Sequence, residues 1–319
     1  MKSLISIVIP THNESKNIGL LYPEICKVFK KIEDFNFEII FIDDSTDNTP
    51  QIIHTLIESD NRVKLIRLSR KFGQAIAITA GLERASGVAA IMMDADLQDP
   101  PEAIIQLIHK WKEGNQIVYV KRNSENRSLV YSFCAKLFYK LIYKTSSIKI
   151  PRNVGEFRLI DRKVLTVMNS FREKTRFLRG LTLWPGFTAA EIEIERGKRI
   201  EGETNYNFMR SLWVAVDGFV SFSIAPLRIA IGIGLFMFFL AILGISYAIA
   251  LRLISDYWVS GWTLMFVALM LFGGTQFILL GVLGEYIGRI FLEVLDRPLY
   301  VVDYQVGDFN LETTLKNNE

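Results

Sequence analysis

Two carboxylates separated by a single residue stand directly after an apolar run in the first third of the chain. Asp94 and Asp96 follow residues 89–93, and Gln98 comes two positions later. Because side-chain direction in a strand repeats every second residue, both carboxylates are expected on one side of the backbone. Mg²⁺ usually takes one or two carboxylates together with substrate phosphates, so the pair predicts a metal that neutralises a diphosphate leaving group. The alternative is a solvated turn before Pro100, which the preceding apolar run disfavours.

A second acidic pair, Asp43 and Asp44, ends another apolar run. Carboxylates placed there can accept hydrogen bonds from a nucleotide base and from ribose hydroxyls. Thr46, Asp47 and Asn48 follow, and capping of the next helix accounts for these three. Capping does not explain the two adjacent aspartates, so we interpret them as part of a ligand pocket.

The elements that must position these residues alternate along the first half of the chain. Strands are predicted at 4–9, 37–42, 63–68, 88–93 and 116–121. Helices are predicted between them, at 15–30, 49–58, 74–85 and 101–113. This alternation predicts an α/β domain on a mainly parallel sheet, in which ligands bind beyond the carboxyl ends of the strands. Both acidic pairs stand at such ends.

Two long stretches near the C-terminus contain no Asp, Glu, Lys or Arg, from Ile229 to Ala250 and from Tyr257 to Gly284. Each exceeds the roughly 20 residues that cross a hydrocarbon core, so we predict two transmembrane helices at about 228–252 and 258–284. A buried pair of soluble helices is the alternative. Lys and Arg are dense before the first stretch and recur after the second, but the connecting loop has none beyond Arg252. This asymmetry predicts a multi-pass protein of the cell membrane with the α/β domain and both termini in the cytoplasm.

These features divide the chain into four predicted segments. They are a catalytic domain at 1–204, an amphipathic interfacial helix at 205–223, the two transmembrane helices within 224–290, and a cytoplasmic tail at 291–319. A core helix of the soluble domain is the alternative for 205–223. The net charge of +3 is too small to imply a nucleic-acid partner, and the two cysteines form no disulfide framework.

Six short motifs resemble those of glycosyltransferase family 2 in order and spacing. They are PTHNE at 10–14, IDDSTDNT at 42–49, LSRKFGQAIAITAGL at 68–82, DADLQDPPE at 94–102, FRLIDR at 157–162 and RFLRGLTLWPG at 176–186. With GEYIGRI at 284–290 and the predicted spans, the chain is similar to polyisoprenyl-phosphate glycosyltransferases. The resemblance implies a Rossmann-like GT-A catalytic domain followed by a C-terminal two-helix transmembrane hairpin.

The resemblance also implies roles for individual residues. For the nucleotide-sugar pocket it implies Pro10, His12, Glu14, Asp43, Asp44, Arg70, Asp94 and Arg199. For catalysis it implies Asp94, Asp96, Gln98 and Arg122, with Asp96 as the ligand of Mg²⁺ or Mn²⁺. For the acceptor phosphate it implies Arg122, with Arg127 and Lys136 in support.

The chain departs from the family pattern at several of these places. His12 stands where the family usually has Tyr or Phe, and GETNY at 202–206 replaces the usual Gly-x-Ser-Lys-Tyr. NVGEF at 153–157 has Glu156 where many relatives carry Asp, and Ser132 with Ala135 replaces a basic residue and Ser.

The activity implied is inverting transfer of glucose from UDP-glucose to undecaprenyl phosphate at the cytoplasmic membrane face. Glucose is preferred because the two-span form resembles glucosyl-transferring relatives. GDP-mannose, UDP-N-acetylhexosamine and UDP-aminoarabinose are alternative donors, and a non-catalytic membrane scaffold is an alternative of another class. A processive polysaccharide synthase would carry a Gln-x-x-Arg-Trp motif, which is absent. The expected partners are the nucleotide sugar, the polyisoprenyl phosphate lipid, the membrane and further copies of the chain in a homo-oligomer such as a tetramer.

Overall fold

The structure, a computed structural model, describes residues 2–122, 151, 154–194, 225–254 and 261–309. The predictions for Arg127, Lys136, Arg199 and the interfacial helix at 205–223 lie outside these residues. Of Arg122, only the backbone is described. The described residues fall into two compact units, one built on a β-sheet and the other on two long helices.

One mixed β-sheet is the frame of the first unit. Its described strands are β1 (Ser3–Thr11), β2 (Phe35–Asp43), β3 (Val63–Leu68), β4 (Ala89–Met92), β5 (Ile117–Arg122), β6 (Val154–Asp161), β7 (Ala189–Ile194) and β8 (Val302–Val306). Their spatial order is β7-β5-β6-β4-β1-β2-β3-β8. β6 runs antiparallel to β4 and β5, β8 runs antiparallel to β3, and the other neighbours are parallel. The prediction of a mainly parallel α/β sheet is confirmed.

Helices cover both faces of this sheet. On one face lie α1 (Ser15–Lys30), α2 (Thr49–Ser59) and α4 (Ala103–Lys112), and on the other lie α3 (Gln74–Arg84), α5 (Arg162–Asn169) and α6 (Leu178–Leu183). Central strand β1 shows the consequence, because Ile7 and Ile9 belong to the first core and Val8 to the second. A strand buried on both faces has a nearly continuous apolar run, and this run is what the sequence displays.

Gly81 allows α3 to approach the sheet closely. A Cβ atom at this position would lie 2.5 Å from side-chain atoms of both Ile42 and Val8. We expect Gly81→Ala to lower the free energy of unfolding by about 1–3 kcal/mol, the usual cost of overpacking a core. Gly19→Ala in α1 is the matched control, because a Cβ there meets no atom within 4 Å and alanine favours a helix. Thermal unfolding followed by circular dichroism measures both variants, and equal unfolding temperatures would contradict the expectation.

The segment predicted as a cytoplasmic tail, 291–319, contains a strand of the sheet. β8 pairs antiparallel with β3, and the backbone N–H of Ser69 donates to the carbonyl of Val301 at 3.0 Å. Arg84 at the end of α3 donates to the Tyr300 hydroxyl at 2.7 Å and holds this segment beside the sheet. The strand was missed because it lies at the edge of the sheet, where its three central residues are exposed and leave no apolar run. Residues 310–319 lie outside the described part.

The second unit contains α7 (Ala225–Ile254) and α8 (Trp262–Val294). α8 extends ten residues beyond the predicted end of the second span. Large apolar side chains are exposed on both helices, including Phe236, Leu253 and Phe277. Within the described residues, no helix combines the length and the hydropathy needed to cross a membrane. The transmembrane character of this hairpin stays a prediction.

Candidate active site

The ends of β1 and β2 meet because the two strands are parallel and in register. Thr11, the last residue of β1, is paired with Asp43, the last residue of β2, and Pro10 is paired with Ile42. The residues that follow each strand, His12 onward and Asp44 onward, therefore leave the sheet side by side. The sequence predicted both segments as parts of one pocket, and the structure brings them together.

Asp43 lies fully buried beneath this edge. Its carboxylate accepts hydrogen bonds from the hydroxyls of Thr11 at 2.9 Å and Ser45 at 2.5 Å, and it pairs with the guanidinium of Arg67 on β3. Arg67 also donates to the carbonyl oxygen of Ser45 at 2.5 Å. Asp43 thus joins the ends of three strands, and its carboxylate contacts protein groups from each of them. Sequence reasoning missed Arg67, whose only signal was its charge within a mainly apolar strand that also contains Lys64.

Asp44 is placed differently from its neighbour. One carboxylate oxygen lies 2.7 Å from Nδ1 of His12, whose side chain is 38% exposed, while the Asp44 side chain is 7% exposed. The pair forms a lip at the strand ends, with the imidazole on the solvent side. A partly exposed ring beside a carboxylate can stack on a nucleotide base and present hydrogen-bonding groups at its edge.

The two loops beyond this lip are tied to each other. Asn13 adopts a positive φ of 59°, a conformation that Asn tolerates better than most residues, and its backbone N–H donates to the Ser45 hydroxyl at 2.8 Å. The Asn13 side chain accepts from the backbone N–H of Thr46 at 2.8 Å, and the N–H of Glu14 donates to the Thr49 hydroxyl at 3.0 Å. These cross-links make the platform at the ends of β1 and β2 rigid. Asn13 and Ser45 were not among the predicted site residues.

The acidic loop after β4 lies at the same edge of the sheet, because β4 is the parallel neighbour of β1. Asp94 accepts a hydrogen bond from the side-chain amide of Gln74, the first residue of α3, at 2.6 Å. Asp96 accepts from the backbone N–H of Gln98 at 3.2 Å. Leu97, between Asp96 and Gln98, has a φ of 56°, which is unfavourable for a large side chain. Strain of this kind is concentrated at functional sites, where the surrounding structure maintains it.

Gln98 is buried within this loop at 5% exposure, and its side-chain oxygen finds no hydrogen-bond donor among the described residues. That oxygen and the carboxylates of Asp94 and Asp96 are hard donors, the type that Mg²⁺ and Mn²⁺ select. The residues present therefore fit a divalent cation that completes its shell from phosphate and water. Within the described residues, no group of three or more His, Cys, Asp or Glu is arranged to hold a metal without such help.

Two predicted arginines lie on opposite sides of this loop along the sheet edge. Arg70 follows β3, and its guanidinium stacks 4.0 Å from the ring centroid of Phe72. Arg122 is the last residue of β5, where its backbone is paired with Ile194 of β7. Since β5 runs in the same direction as β4, Arg122 stands at the same edge as the acidic loop.

A charged cluster on β6 and α6 completes this edge. Glu156 and Arg158 of β6 contact each other, and Arg179 of α6 contacts Glu156. Neither Arg158 nor Arg179 was among the predicted site residues. Their signals in the sequence were their charges inside two of the family motifs, at 157–162 and 176–186.

The mainly parallel α/β sheet, with two acidic loops at its carboxyl edge, has a GT-A-like architecture. Residues 6–167 match the family described as Glycosyl transferase family 2. The chain belongs to glycosyltransferase family 2 and is a glycosyltransferase.

Its relatives extend over nearly the whole chain. The glycosyltransferase YkcC of Bacillus subtilis is 41% identical over 95% of this chain and 94% of its own length. The SfII prophage-derived bactoprenol glucosyl transferase of Shigella flexneri is 38% identical over 93% of this chain and 97% of its own length. Among solved structures, mannosyl-3-phosphoglycerate synthase from Rubrobacter xylanophilus is 17% identical, with a TM-score of 0.48 over 71% of this chain and 74% of that one.

Proposed function

We propose that this protein transfers glucose from UDP-glucose to a polyisoprenyl phosphate such as undecaprenyl phosphate, with inversion at the anomeric carbon. The observation that carries the proposal is the 38% identity to a bactoprenol glucosyl transferase over 93% of the chain. The match includes the sheet unit and the two long helices, and is therefore wider than the family match at 6–167.

The donor would bind across the ends of β1 to β4. In this arrangement His12 and Asp44 hold the base and ribose, and Arg70 approaches the diphosphate. Asp94, Asp96 and Gln98 would supply the oxygen ligands for Mg²⁺ or Mn²⁺. When bound, the cation would supply Lewis-acid neutralisation of the departing nucleoside diphosphate.

The ionisation of the acceptor phosphate explains why the reaction requires no general base. A phosphate monoester has a second pKa of about 6, so at pH 7 its oxygen is already an anionic nucleophile. The protein then has to hold the acceptor in line with the donor and screen the charges that approach each other. In-line attack opposite the leaving diphosphate inverts the anomeric carbon.

We further propose that α7 and α8 lie in the cell membrane, with the sheet unit and both termini in the cytoplasm. A polyisoprenyl chain keeps its phosphate at the level of the lipid head groups, so the active site must be held there. Two features support this placement: the uncharged stretches 229–250 and 257–284, and the large apolar side chains exposed on both helices. Homo-oligomerisation through these helices would use the open space around Gly232, Gly234, Gly273 and Gly274.

A donor panel tests the proposed activity. Purified protein in detergent is incubated with undecaprenyl phosphate, Mg²⁺ or Mn²⁺, and radiolabelled UDP-glucose, UDP-N-acetylglucosamine, GDP-mannose or UDP-aminoarabinose. We expect labelled lipid chiefly from UDP-glucose, with a β-linked product from the α-linked donor. Preference for another sugar would contradict the donor assignment, and nucleotide-sugar binding without lipid product would favour a scaffold.

A further inference from the structure

The charged cluster on β6 and α6 lies beside the acidic loop. In the antiparallel pairing of β4 with β6, Met92 stands opposite Arg158. Because the two strands are antiparallel, Asp94 lies after Met92 and Glu156 lies before Arg158 towards the same edge of the sheet. Because side chains alternate along a strand, Glu156 and Arg158 belong to one face of the sheet. Arg158 donates to the Thr182 hydroxyl of α6 at 3.3 Å, which identifies this as the face covered by α3, α5 and α6.

Glu156 is held between two guanidinium groups. Arg179 donates through Nε to one carboxylate oxygen at 2.7 Å, and Arg158 donates to the other at 3.3 Å. Arg158 is 2% exposed and also donates to the carbonyl oxygen of Gly155 at 2.7 Å. A carboxylate occupied at both oxygens is an orienting group for its partners and a poor proton acceptor.

The trio of Glu156, Arg158 and Arg179 carries one net positive charge, since two cations share one anion. Burial lowers the pKa of Arg158, although Glu156 opposes that effect, and the Nε atom of Arg158 has no hydrogen-bond partner in the described residues. Arg158 is the buried cation of the trio, whereas the second cation, Arg179, is partly exposed, so an anion from the solvent can approach it. The arrangement therefore suits an anionic ligand.

Arg179 is the member of the trio that a ligand can reach, because its side chain is 38% exposed. The contact of its Nε with Glu156 fixes the plane of the guanidinium group. A guanidinium with a fixed plane is suited to bidentate recognition of a phosphate.

The order of the strands indicates whether such a phosphate would belong to the donor or to the acceptor. The platform predicted for the nucleotide lies at β1 and β2, on one side of the acidic loop, and β6 lies on the other side. An in-line displacement requires the nucleophile and the leaving group on opposite sides of the anomeric carbon. The backbone of Arg122, at the end of β5, stands on the same side as the trio.

We propose that Arg179 binds the phosphate of the lipid acceptor, and that Glu156 and Arg158 are positioning residues that hold its guanidinium in place. This rests on the proposed function. Arg179 then screens the attacking monoester anion as it approaches the donor diphosphate.

Steady-state kinetics with separate variation of the two substrates tests this proposal. We expect Arg179→Ala to raise the KM for undecaprenyl phosphate by roughly 10- to 100-fold, as loss of a hydrogen bond to a charged group would. The KM for UDP-glucose should stay within about twofold. Arg179→Lys should recover part of the loss, and Glu156→Gln should raise the acceptor KM by less. Arg172→Ala, at an exposed arginine seven residues earlier in the chain, is the matched control and should leave both KM values unchanged.

The outcomes separate this proposal from the proposed function. A wild-type enzyme that makes no glucosylated lipid overturns the proposed function. An active wild type whose acceptor KM is unchanged in Arg179→Ala overturns the role of Arg179 alone. A parallel rise of both KM values with a lower unfolding temperature would also overturn it, by making the trio purely structural. If the alanine variant does not fold, an unchanged acceptor KM in Arg179→Lys contradicts the proposal.

Discussion

Asp96→Asn is expected to lower turnover by roughly 10²- to 10³-fold, the loss typical of removing one electrostatic stabiliser of a developing charge. The substitution keeps the shape of the side chain. The asparagine oxygen can still accept the hydrogen bond that Asp96 takes from the backbone N–H of Gln98 at 3.2 Å. The loop should therefore keep its conformation while losing the anionic ligand proposed for the cation. Incorporation of radiolabelled glucose into lipid, measured over a titration of Mg²⁺ and Mn²⁺, gives the effect.

The control for this variant is Asp303→Asn, which removes the same charge from an exposed position of β8. It should leave turnover and the metal requirement as they are in the wild type. Near-normal turnover of Asp96→Asn at saturating metal would remove Asp96 from the metal site.

Asp43→Ala is expected to have the largest effect on stability among single substitutions at the site. Asp43 is fully buried and pairs with Arg67, so its removal leaves a largely buried cation without its carboxylate partner. Breaking a buried ion pair in this way typically costs about 3–5 kcal/mol. The Thr11 and Ser45 hydroxyls also lose their acceptor, so the platform loosens and affinity for the nucleotide sugar should fall.

Thermal unfolding and equilibrium binding of UDP-glucose measure the two parts of this prediction. Asp44→Ala provides the comparison, because Asp44 contacts His12 at the lip and leaves the buried pair intact. We expect Asp44→Ala to weaken donor binding with a small change in unfolding temperature. Similar unfolding temperatures for the two variants would show that Asp43 does not join the strand ends as described.

The neighbouring aspartates illustrate how far the sequence could lead. The pattern of an apolar run followed by Asp43 and Asp44 correctly predicted a strand end and a place at the edge of the sheet. It assigned both carboxylates to a ligand, whereas Asp43 contacts Thr11, Ser45 and Arg67. Local spacing cannot distinguish a buried carboxylate from an exposed one at adjacent positions. The distinction depends on residues of β1 and β3 that lie 24 or more positions away in the chain.

The helices and strands also divide into those that the sequence predicted and those that it did not. α1 was predicted at 15–30 and β3 at 63–68, and the structure has them at those bounds. α1 buries one apolar face, which leaves a helical period in the sequence, and β3 is buried on both faces, which leaves a short, mainly apolar run. β8 left no such period, because an edge strand gains its stability from backbone pairing with β3, and its side chains are mostly exposed.

The sequence by itself determined the family, the alternation of strands and helices, and the acidic motifs at two strand ends. Those features are local, because burial of each element imposes its own period on the residues that form it. Only the tertiary structure decided that Asp43 turns inward, that β8 completes the sheet, and that Glu156 lies between Arg158 and Arg179. These depend on the order in which strands pair and on contacts between distant segments, and neither is encoded in the spacing of neighbouring residues.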